Sequence, residues 1–341
     1  MTLALDATYS LGENLSGVGV YSRRILFGLA RAHPEARFLF AYRPHRFFRS
    51  LRERLPANCT RHLLLEARAP QAELFHGLNQ RLPRAYTRRT VTTFHDLFVL
   101  TGDYSTPEFK RRFAEQARDA AERSDLVIAV SEFTAGQVRD LLGISANRVR
   151  VIPHGVSTRR APLHAREKLI LHVGAIQHRK NLVRLIEAFE RTDPGWRLAL
   201  AGSCGYGSEE ILHRIECSPR RQDVQVLGYV SQTQLDDLYA RAAVFAFPSL
   251  DEGFGMPILD AMAAGVPVLT SNRSATAEVS GDAALLVAPE DTGSIVEALH
   301  RLTTEETLRE EFVVRGLERA ALFTWEKAVE ATWAAYAELL R

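Results

Sequence analysis

No stretch of the chain stays apolar for long. A membrane-spanning helix takes about 18 or more uninterrupted apolar residues, and the richest stretch, 253–270, is broken by Asp260, two prolines and two further glycines. The opening residues, MTLALDATYS, reach Asp6 before the apolar core of a secretion signal develops, so no signal peptide is expected. Cysteine is scarce: Cys59, Cys204 and Cys217 are an odd number of scattered thiols without metal-ligand spacing. That excludes a disulfide framework and a zinc pattern, and it points to a reducing compartment, the cytoplasm by default. Lysine occurs only at positions 110, 168, 180 and 327, so nearly all positive charge is arginine. There is no Asp-x-Asp pair, no low-complexity segment and no repeat of 20–50 residues.

What is present is the composition of a globular protein. The 341 residues are 46% hydrophobic and 25% charged, enough apolar surface to offset the entropy of ordering, and the length favours two domains. Forty-three basic against 41 acidic residues leave a net charge of +2. The halves differ: residues 1–167 carry 26 Lys+Arg and 16 Asp+Glu, net +10, so the remainder is net −8. A basic first half suits an anionic partner. No recognisable nucleic-acid module accompanies the charge, so nucleic acid is not expected.

Short apolar runs alternate with amphipathic segments throughout, the pattern of parallel sheets wrapped by helices. Strands are expected at 3–7, 37–42, 61–65, 73–75, 91–94, 126–130 and 149–153, with helices at 18–30, 107–123 and 132–142, the last capped by Ser131. The polar, Arg-rich stretch around 154–167 reads as a linker. Beyond it, strands at 169–173, 196–201, 224–226, 244–247, 266–269 and 284–287 alternate with helices at 182–190, 208–217, 232–242 and 257–264, and three helical segments follow. Ser231 and Gln234 have capping-box spacing. Each half is thus a doubly wound α/β domain, in which ligands bind outside the carboxyl ends of the strands.

The segment Phe247-Pro-Ser-Leu-Asp-Glu252-Gly253-Phe254-Gly255-Met-Pro257-Ile-Leu-Asp260 leaves a strand, passes two glycines and enters a helix. Glycines before a helix N-terminus let backbone N–H groups approach an anion that the helix dipole favours, so a phosphate site is the natural reading. Glu252 in the loop and Asp260 about one turn into the helix can share one pocket; alternatively both acids serve the helix N-terminus. In His172-Val-Gly174-Ala-Ile-Gln-His-Arg179-Lys180-Asn, the loop after the first strand of the second domain presents Gly174 and Lys180, where an ammonium can neutralise a departing nucleotide. Ser16-Gly17-Val-Gly19 opens a helix after the first strand, His95 ends a strand of the first domain, and Gly228-Tyr229-Val230 ends another before a capped helix. The stretch 43–54 is basic with Phe47 and Phe48 paired: either a helix with both rings in the core and a solvated basic face, or an interfacial amphipathic segment.

These motifs resemble the family-4 retaining glycosyltransferases of the GT-B fold, from end to end and most specifically over 174–289. The resemblance implies two Rossmann-like domains facing a central cleft. An acceptor-binding domain would cover 1–155, a linker 156–167, a nucleotide-sugar domain 168–323, and a C-terminal helix at 324–341 would pack back on the first domain. By position, Glu252 would contact the donor sugar, Gly253, Phe254 and Gly255 would supply amides to the pyrophosphate, and Asp260 would hold the ribose. The family usually has Glu at that last place, so the shorter Asp260 implies a longer or water-mediated contact. Lys180 and Arg179 would stabilise the leaving diphosphate; many members carry Arg where this chain has Ala175. Gly17, Gly19 and Gly174 would line the donor site, Tyr229 and Val230 would approach the base, and His95 would contact the sugar's far hydroxyl.

The Arg-Lys-Asn loop is similar to a subgroup that often transfers mannose in polysaccharide and O-antigen biosynthesis. The resemblance therefore implies a hexosyltransferase, with GDP-mannose favoured as donor, a glycan or lipid-linked saccharide as acceptor, no metal or other cofactor, and peripheral contact with the inner membrane face. A nucleotide-sugar 2-epimerase of the same fold and a non-catalytic nucleotide- or glycan-binding relative stay open as alternatives.

Overall fold

A computed structural model describes residues 1–68, 70–85, 88–157 and 166–341. The chain divides into two compact units, one made of Met1–Thr101, Thr106–Gly155 and Thr324–Arg341, the other of Gly102–Ser105 and Val156–Phe323. Of the expected linker 156–167, residues 158–165 lie outside the described residues.

The first unit is built on seven parallel strands: β1 (Thr2–Asp6), β2 (Arg37–Tyr42), β3 (Cys59–Leu63), β4 (Leu74–Gly77), β5 (Thr90–Phe94), β6 (Leu126–Ala129) and β7 (Val149–Val151), in the order β3-β2-β1-β4-β5-β6-β7. The central strands β4, β5 and β6 are buried along their whole length; β6 is apolar throughout, while β4 and β5 bury His76 and three threonines among their apolar residues. Edge strand β3 begins at Cys59, earlier than its apolar residues indicate, because half-exposed edge positions tolerate Thr60, Arg61 and His62. Among the described residues five α-helices connect the strands: α1 (Gly17–Ala32), α2 (Pro44–Ser50), α3 (Phe98–Thr101), α4 (Pro107–Arg123) and α5 (Glu132–Leu142). Ser16, Thr106 and Ser131 cap α1, α4 and α5 through their side-chain oxygens. Helix α2 corrects one expectation. Phe48 is 80% exposed and Phe47 half-buried, so the pair does not enter the core, which is filled instead by Phe75, Phe94, Leu97, Phe113 and Val127.

The second unit has six parallel strands, β8 (Glu167–Val173), β9 (Arg197–Ala201), β10 (Val224–Gly228), β11 (Ala242–Phe247), β12 (Val268–Ser271) and β13 (Leu285–Val287), ordered β10-β9-β8-β11-β12-β13. Its helices are α6 (Leu182–Phe189), α7 (Ser208–Glu216), α8 (Gln232–Arg241), α9 (Met256–Ala263), α10 (Ser274–Ser280), α11 (Thr292–Thr304) and α12 (Glu306–Ala321). The capping box of Ser231 and Gln234 is formed. Helix α10 was not expected, since seven residues with Ser, Thr and Glu carry little periodicity and no cap signal. A backbone contact at the strand ends depends on glycine: a Cβ on Gly202 would fall 1.9 Å from the Gly174 carbonyl oxygen.

The last helix, α13 (Trp325–Leu340), belongs to the first unit and packs on α1. A Cβ on Gly155 would meet the Trp325 nitrogen at 2.2 Å, so glycine permits the close approach of this helix start. Farther along α13, the Tyr336 hydroxyl lies 2.5 Å from His76 Nδ1, His76 Nε2 lies 2.8 Å from Thr93 Oγ1, and Thr93 meets the Tyr21 hydroxyl at 2.9 Å. Tyr21 packs edge-on to both His95 and His154, with ring centroids 4.7 and 4.9 Å away. The three imidazoles are buried, which disfavours their charged forms: His76 is lowered to about 3, His95 to about 4, and His154 well below its ordinary value.

Unfolding therefore releases imidazoles that bind protons below about pH 6.5. Stability should fall as pH is lowered from 6.5 towards 4, each such histidine contributing up to about 1.4 kcal/mol per pH unit. Thermal midpoints measured from pH 7.5 to 5 check this; a level profile would contradict three neutral buried imidazoles.

Candidate functional site

The chemistry expected of the second unit gathers where β8 and β11 end. β8 delivers Gly174, and the turn His178–Lys180 carries Arg179 and Lys180, both buried. β11 ends at Phe247, and the loop after it brings Asp251, Glu252, Gly253, Phe254 and Gly255 to the start of α9, all of them buried. Lys180 Nζ donates to Glu252 Oε1, and Arg179 Nη1 lies 2.8 Å from Glu252 Oε2. Arg179 also donates to the Asp251 carbonyl. The Lys180 ammonium sits 4.5 Å from the centroid of the Phe247 ring, a cation–π contact. Burial by itself would raise the Glu252 pKa, but the two cations and their hydrogen bonds more than offset it and hold the carboxyl at about 2. Two buried cations thus meet on one carboxylate beside the glycine loop, with the buried Asp251 next to it.

Helix start and backbone suit the phosphate site expected there. Gly255 caps α9 at φ +100°, a conformation that favours glycine, and Pro257 sits in the first turn where its missing N–H costs nothing. Gly265 follows the helix end at φ +67°. Asp260 is half-buried within α9, on the turn after the loop. At Gly174, an added Cβ would crowd Lys180 Cε at 3.2 Å, so glycine there leaves room for the lysine stem. Gly228 ends β10 with positive φ, followed by an exposed Tyr229 and a half-buried Val230.

Several positioning residues were not anticipated. Asn181, held in the left-handed region at φ +58°, donates through Nδ2 to the carbonyls of Pro248 (3.0 Å) and Pro289 (2.6 Å), and Leu250 N–H donates to the Arg179 carbonyl at 2.9 Å. The unexpected helix α10 pins the Glu252 backbone: Ser274 Oγ accepts from Glu252 N–H at 3.3 Å, and Ala275 N–H donates to the Glu252 carbonyl at 3.2 Å. Buried His172 stacks on Phe247 with centroids 5.4 Å apart, and its Nδ1 lies 2.9 Å from the Ala246 carbonyl oxygen. Burial, then the nearby Lys180 charge, lowers its pKa to about 4, so the ring is neutral at pH 7. Its Nε2 is buried without a partner. Only its place two residues before Gly174 could have marked it.

The first unit places the other expected residues. Gly17 and Gly19 form the first turn of α1, where the Ser16 hydroxyl accepts from Gly19 N–H at 3.3 Å and a Cβ on Gly19 would meet the Tyr9 carbonyl oxygen at 2.9 Å. His95 directly follows β5. Its Nε2 is 2.9 Å from the Leu78 carbonyl oxygen, which makes Nε2 the protonated nitrogen, while Nδ1 lies 3.4 Å from His154 Nε2 on a ring stacked at 5.3 Å. Both nitrogens are therefore engaged inside this unit.

The chain matches the Glycosyltransferase Family 4 model over residues 8–160 and the model of Glycosyl transferases group 1 over 157–319. It is 32% identical over 281 residues to O-antigen chain mannosyltransferase B of Escherichia coli, covering 77% of this chain and 74% of that protein. The chain belongs to the family-4 glycosyltransferases. Among solved structures it is similar to sucrose-phosphate synthase from Thermosynechococcus elongatus, with TM-score 0.81 and 21% identity over 99% of this chain and 98% of that one. It is similar also to Anabaena HepE in a complex with UDP-glucose, with TM-score 0.75 and 18% identity over 99% of each chain. The fold of this glycosyltransferase is thus GT-B, with both units of Rossmann-like type.

Glu252→Ala should cost about 3 kcal/mol or more, because it removes the carboxylate that two buried cations share rather than a single contact. Chemical denaturation of the variant measures it, and added inorganic diphosphate should restore part of the loss. A cost below about 1 kcal/mol would show that the cations are solvated without their carboxylate.

Proposed function

We propose that this glycosyltransferase is a retaining, metal-independent hexosyltransferase that moves mannose from GDP-mannose to a hydroxyl of a glycan or lipid-linked saccharide in polysaccharide biosynthesis. The observation that carries the reading is the pair of buried cations, Lys180 and Arg179, assembled on Glu252 beside the glycine loop at the start of α9. The name of the 32%-identical relative supports mannose and an O-antigen-like product. Gly253, Phe254 and Gly255 offer backbone amides to the diphosphate, Asp260 the ribose contact, and Tyr229 and Val230 the strand end against the base.

Bond breaking between the anomeric carbon and the phosphate oxygen leaves negative charge on the diphosphate, which Lys180 and Arg179 stabilise in a buried setting where such interactions are strong. The acceptor oxygen bonds to the anomeric carbon on the same face, and the departing phosphate oxygen takes the acceptor's proton. No protein nucleophile is required. The cations and amides supply the charge stabilisation that a bound metal gives other transferases. Glu252, ionised throughout the neutral range, accepts hydrogen bonds from the sugar, whereas His95, expected to reach the far hydroxyl, has both ring nitrogens engaged within the first unit and is given no role. In the first unit, exposed Phe48 and Leu51 stand among Arg46, Arg49 and Arg52, an arrangement that suits the anionic inner face of a membrane, each basic residue adding about 1 kcal/mol near the surface. Among the described residues no helix is long and apolar enough to cross a membrane.

One series of measurements tests the reading. Lys180→Ala should weaken binding of the nucleoside diphosphate and reduce kcat by about a hundredfold or more, the loss expected of a group that stabilises transition-state charge; unchanged diphosphate affinity removes its role. Sugar transfer to mannoside-bearing acceptors should persist in EDTA, and a loss restored by magnesium or manganese would refute metal independence. GDP-mannose should stabilise the protein to heat more than UDP-, ADP- or dTDP-sugars. Vesicles containing anionic lipid should retain the wild type more than Phe48→Ser, and equal retention would refute the membrane contact.

A further inference from the structure

One buried group beside the two cations takes no part in the proposed reaction. His172 lies near the end of β8, fully buried, two residues before Gly174. Its ring stacks on Phe247 at an interplanar angle of 15°, and its Nδ1 stands 2.9 Å from the Ala246 carbonyl oxygen. A carbonyl only accepts, so Nδ1 carries the proton and Nε2 is left as a bare acceptor. Burial, then the Lys180 charge, keeps the ring from taking a second proton at neutral pH. Nε2 has no partner, although a buried polar atom without one is costly and uncommon.

Nε2 faces the Cβ side of Gly174. A Cβ added to this half-buried glycine would lie 3.3 Å from Nε2, 3.6 Å from Lys180 Nζ and 3.2 Å from Lys180 Cε. Glycine therefore keeps open a small space with a neutral acceptor on one side and an ammonium on the other. The glycine itself is held in place: its N–H donates to the Ala201 carbonyl at 2.9 Å, and Gly202 packs against its carbonyl oxygen. Glu252 also acts on the ring, and its carboxylate is taken by Lys180 and Arg179. These walls select a chemistry. An ionised phosphate oxygen is drawn to the ammonium but repelled by the Nε2 lone pair, and a ligand cation meets the reverse conflict. A hydroxyl satisfies both, because its hydrogen goes to Nε2 while its oxygen faces the positive charge.

We propose that His172 is a donor-binding residue, whose Nε2 accepts a hydrogen bond from a sugar hydroxyl of the nucleoside diphosphate sugar seated against Lys180. The proposal rests on the proposed function and deepens it. The cations answer the charge of the diphosphate, whereas His172 answers a neutral hydroxyl and so discriminates among donors by what their sugars carry. Hexose and ribose both offer hydroxyls, and experiment separates the two sources.

Two substitutions divide the roles of the ring. His172→Phe keeps a stack on Phe247 and removes the acceptor; His172→Gln gives up the stack and returns an acceptor near the Nε2 position. Should His172→Phe not fold, His172→Asn takes its place, since it keeps a donor for the Ala246 carbonyl and has nothing at Nε2. Titration calorimetry of the whole chain uses GDP-mannose, GDP and dideoxy-GDP, which lacks both ribose hydroxyls. His172→Phe should weaken GDP-mannose binding about five- to tenfold, the share of one hydrogen bond, and His172→Gln should stay within about twofold of the wild type. If His172→Phe leaves GDP affinity intact, the hydroxyl belongs to the hexose. If GDP loses the same factor while dideoxy-GDP does not, it belongs to the ribose. A loss shared by all three probes, no loss at all, or a loss in His172→Gln alone overturns the proposal, the last being the pattern of a purely structural imidazole. Failure of the proposed donor reads differently: the wild type would then prefer a uridine diphosphate sugar, and the same variants with that sugar nucleotide, UDP and dideoxy-UDP decide the seat. A wild type that binds no nucleoside diphosphate removes the proposed function and this seat together.

Discussion

A carboxylate buried between two cations organises the second unit. Taking three charges out of water is costly unless each finds a close partner, and Glu252 satisfies Lys180 with one oxygen and Arg179 with the other. Keeping that geometry requires the two loops to stay in register. Asn181 ties the cationic turn to the Pro248 carbonyl, Leu250 returns a backbone bond to Arg179, and α10 fastens the Glu252 backbone from the other side. Phe247 beneath the ammonium and the neutral His172 stacked on it add contacts without adding a competing cation. In the proposed reaction, an incoming diphosphate meets cations already gathered, so little reorganisation remains when charge develops.

The order of the elements was legible because doubly covered parallel strands announce themselves as apolar runs. β2, α4 and α5 fall where the periodicity places them, and the Ser131 cap and Ser231 box are formed. The glycine loop and the Arg-Lys-Asn turn were legible for a different reason: glycine at φ +100° before a helix, and a rare lysine beside a strand end, are local statements. Contacts distant in sequence were not. Nothing local reveals that Asn181 reaches Pro289, that Ser274 holds Glu252, or that Tyr336 completes His76, since each partner lies on another element. Phe48 shows the converse limit. The aromatic pair in this short basic helix reads as core from its sequence, and the packing of α2 against β2 and β3 leaves Phe48 outside it.

The two units divide the electrostatic labour. The second unit, despite the net negative charge of its half of the chain, concentrates its buried cations at one loop pair. The first spreads arginine over its surface while its interior histidines stay neutral. One arrangement gathers cations in a buried setting; the other spreads positive charge over a surface. Both sheets are parallel and doubly wound, so the contrast comes from the residues carried on their loops and helices.

The return of α13 to the first unit bears on how the molecule is made. Ribosomes deliver the sheet containing His76 early, but its hydroxyl partner, Tyr336, emerges only after Val156–Phe323 have been synthesised. Until then the nascent first unit lacks the helix that covers α1 and the tyrosine that completes its imidazole chain. The amino-terminal unit is therefore begun first and finished last, and any shortening of the tail is felt at the centre of the opposite end of the sequence.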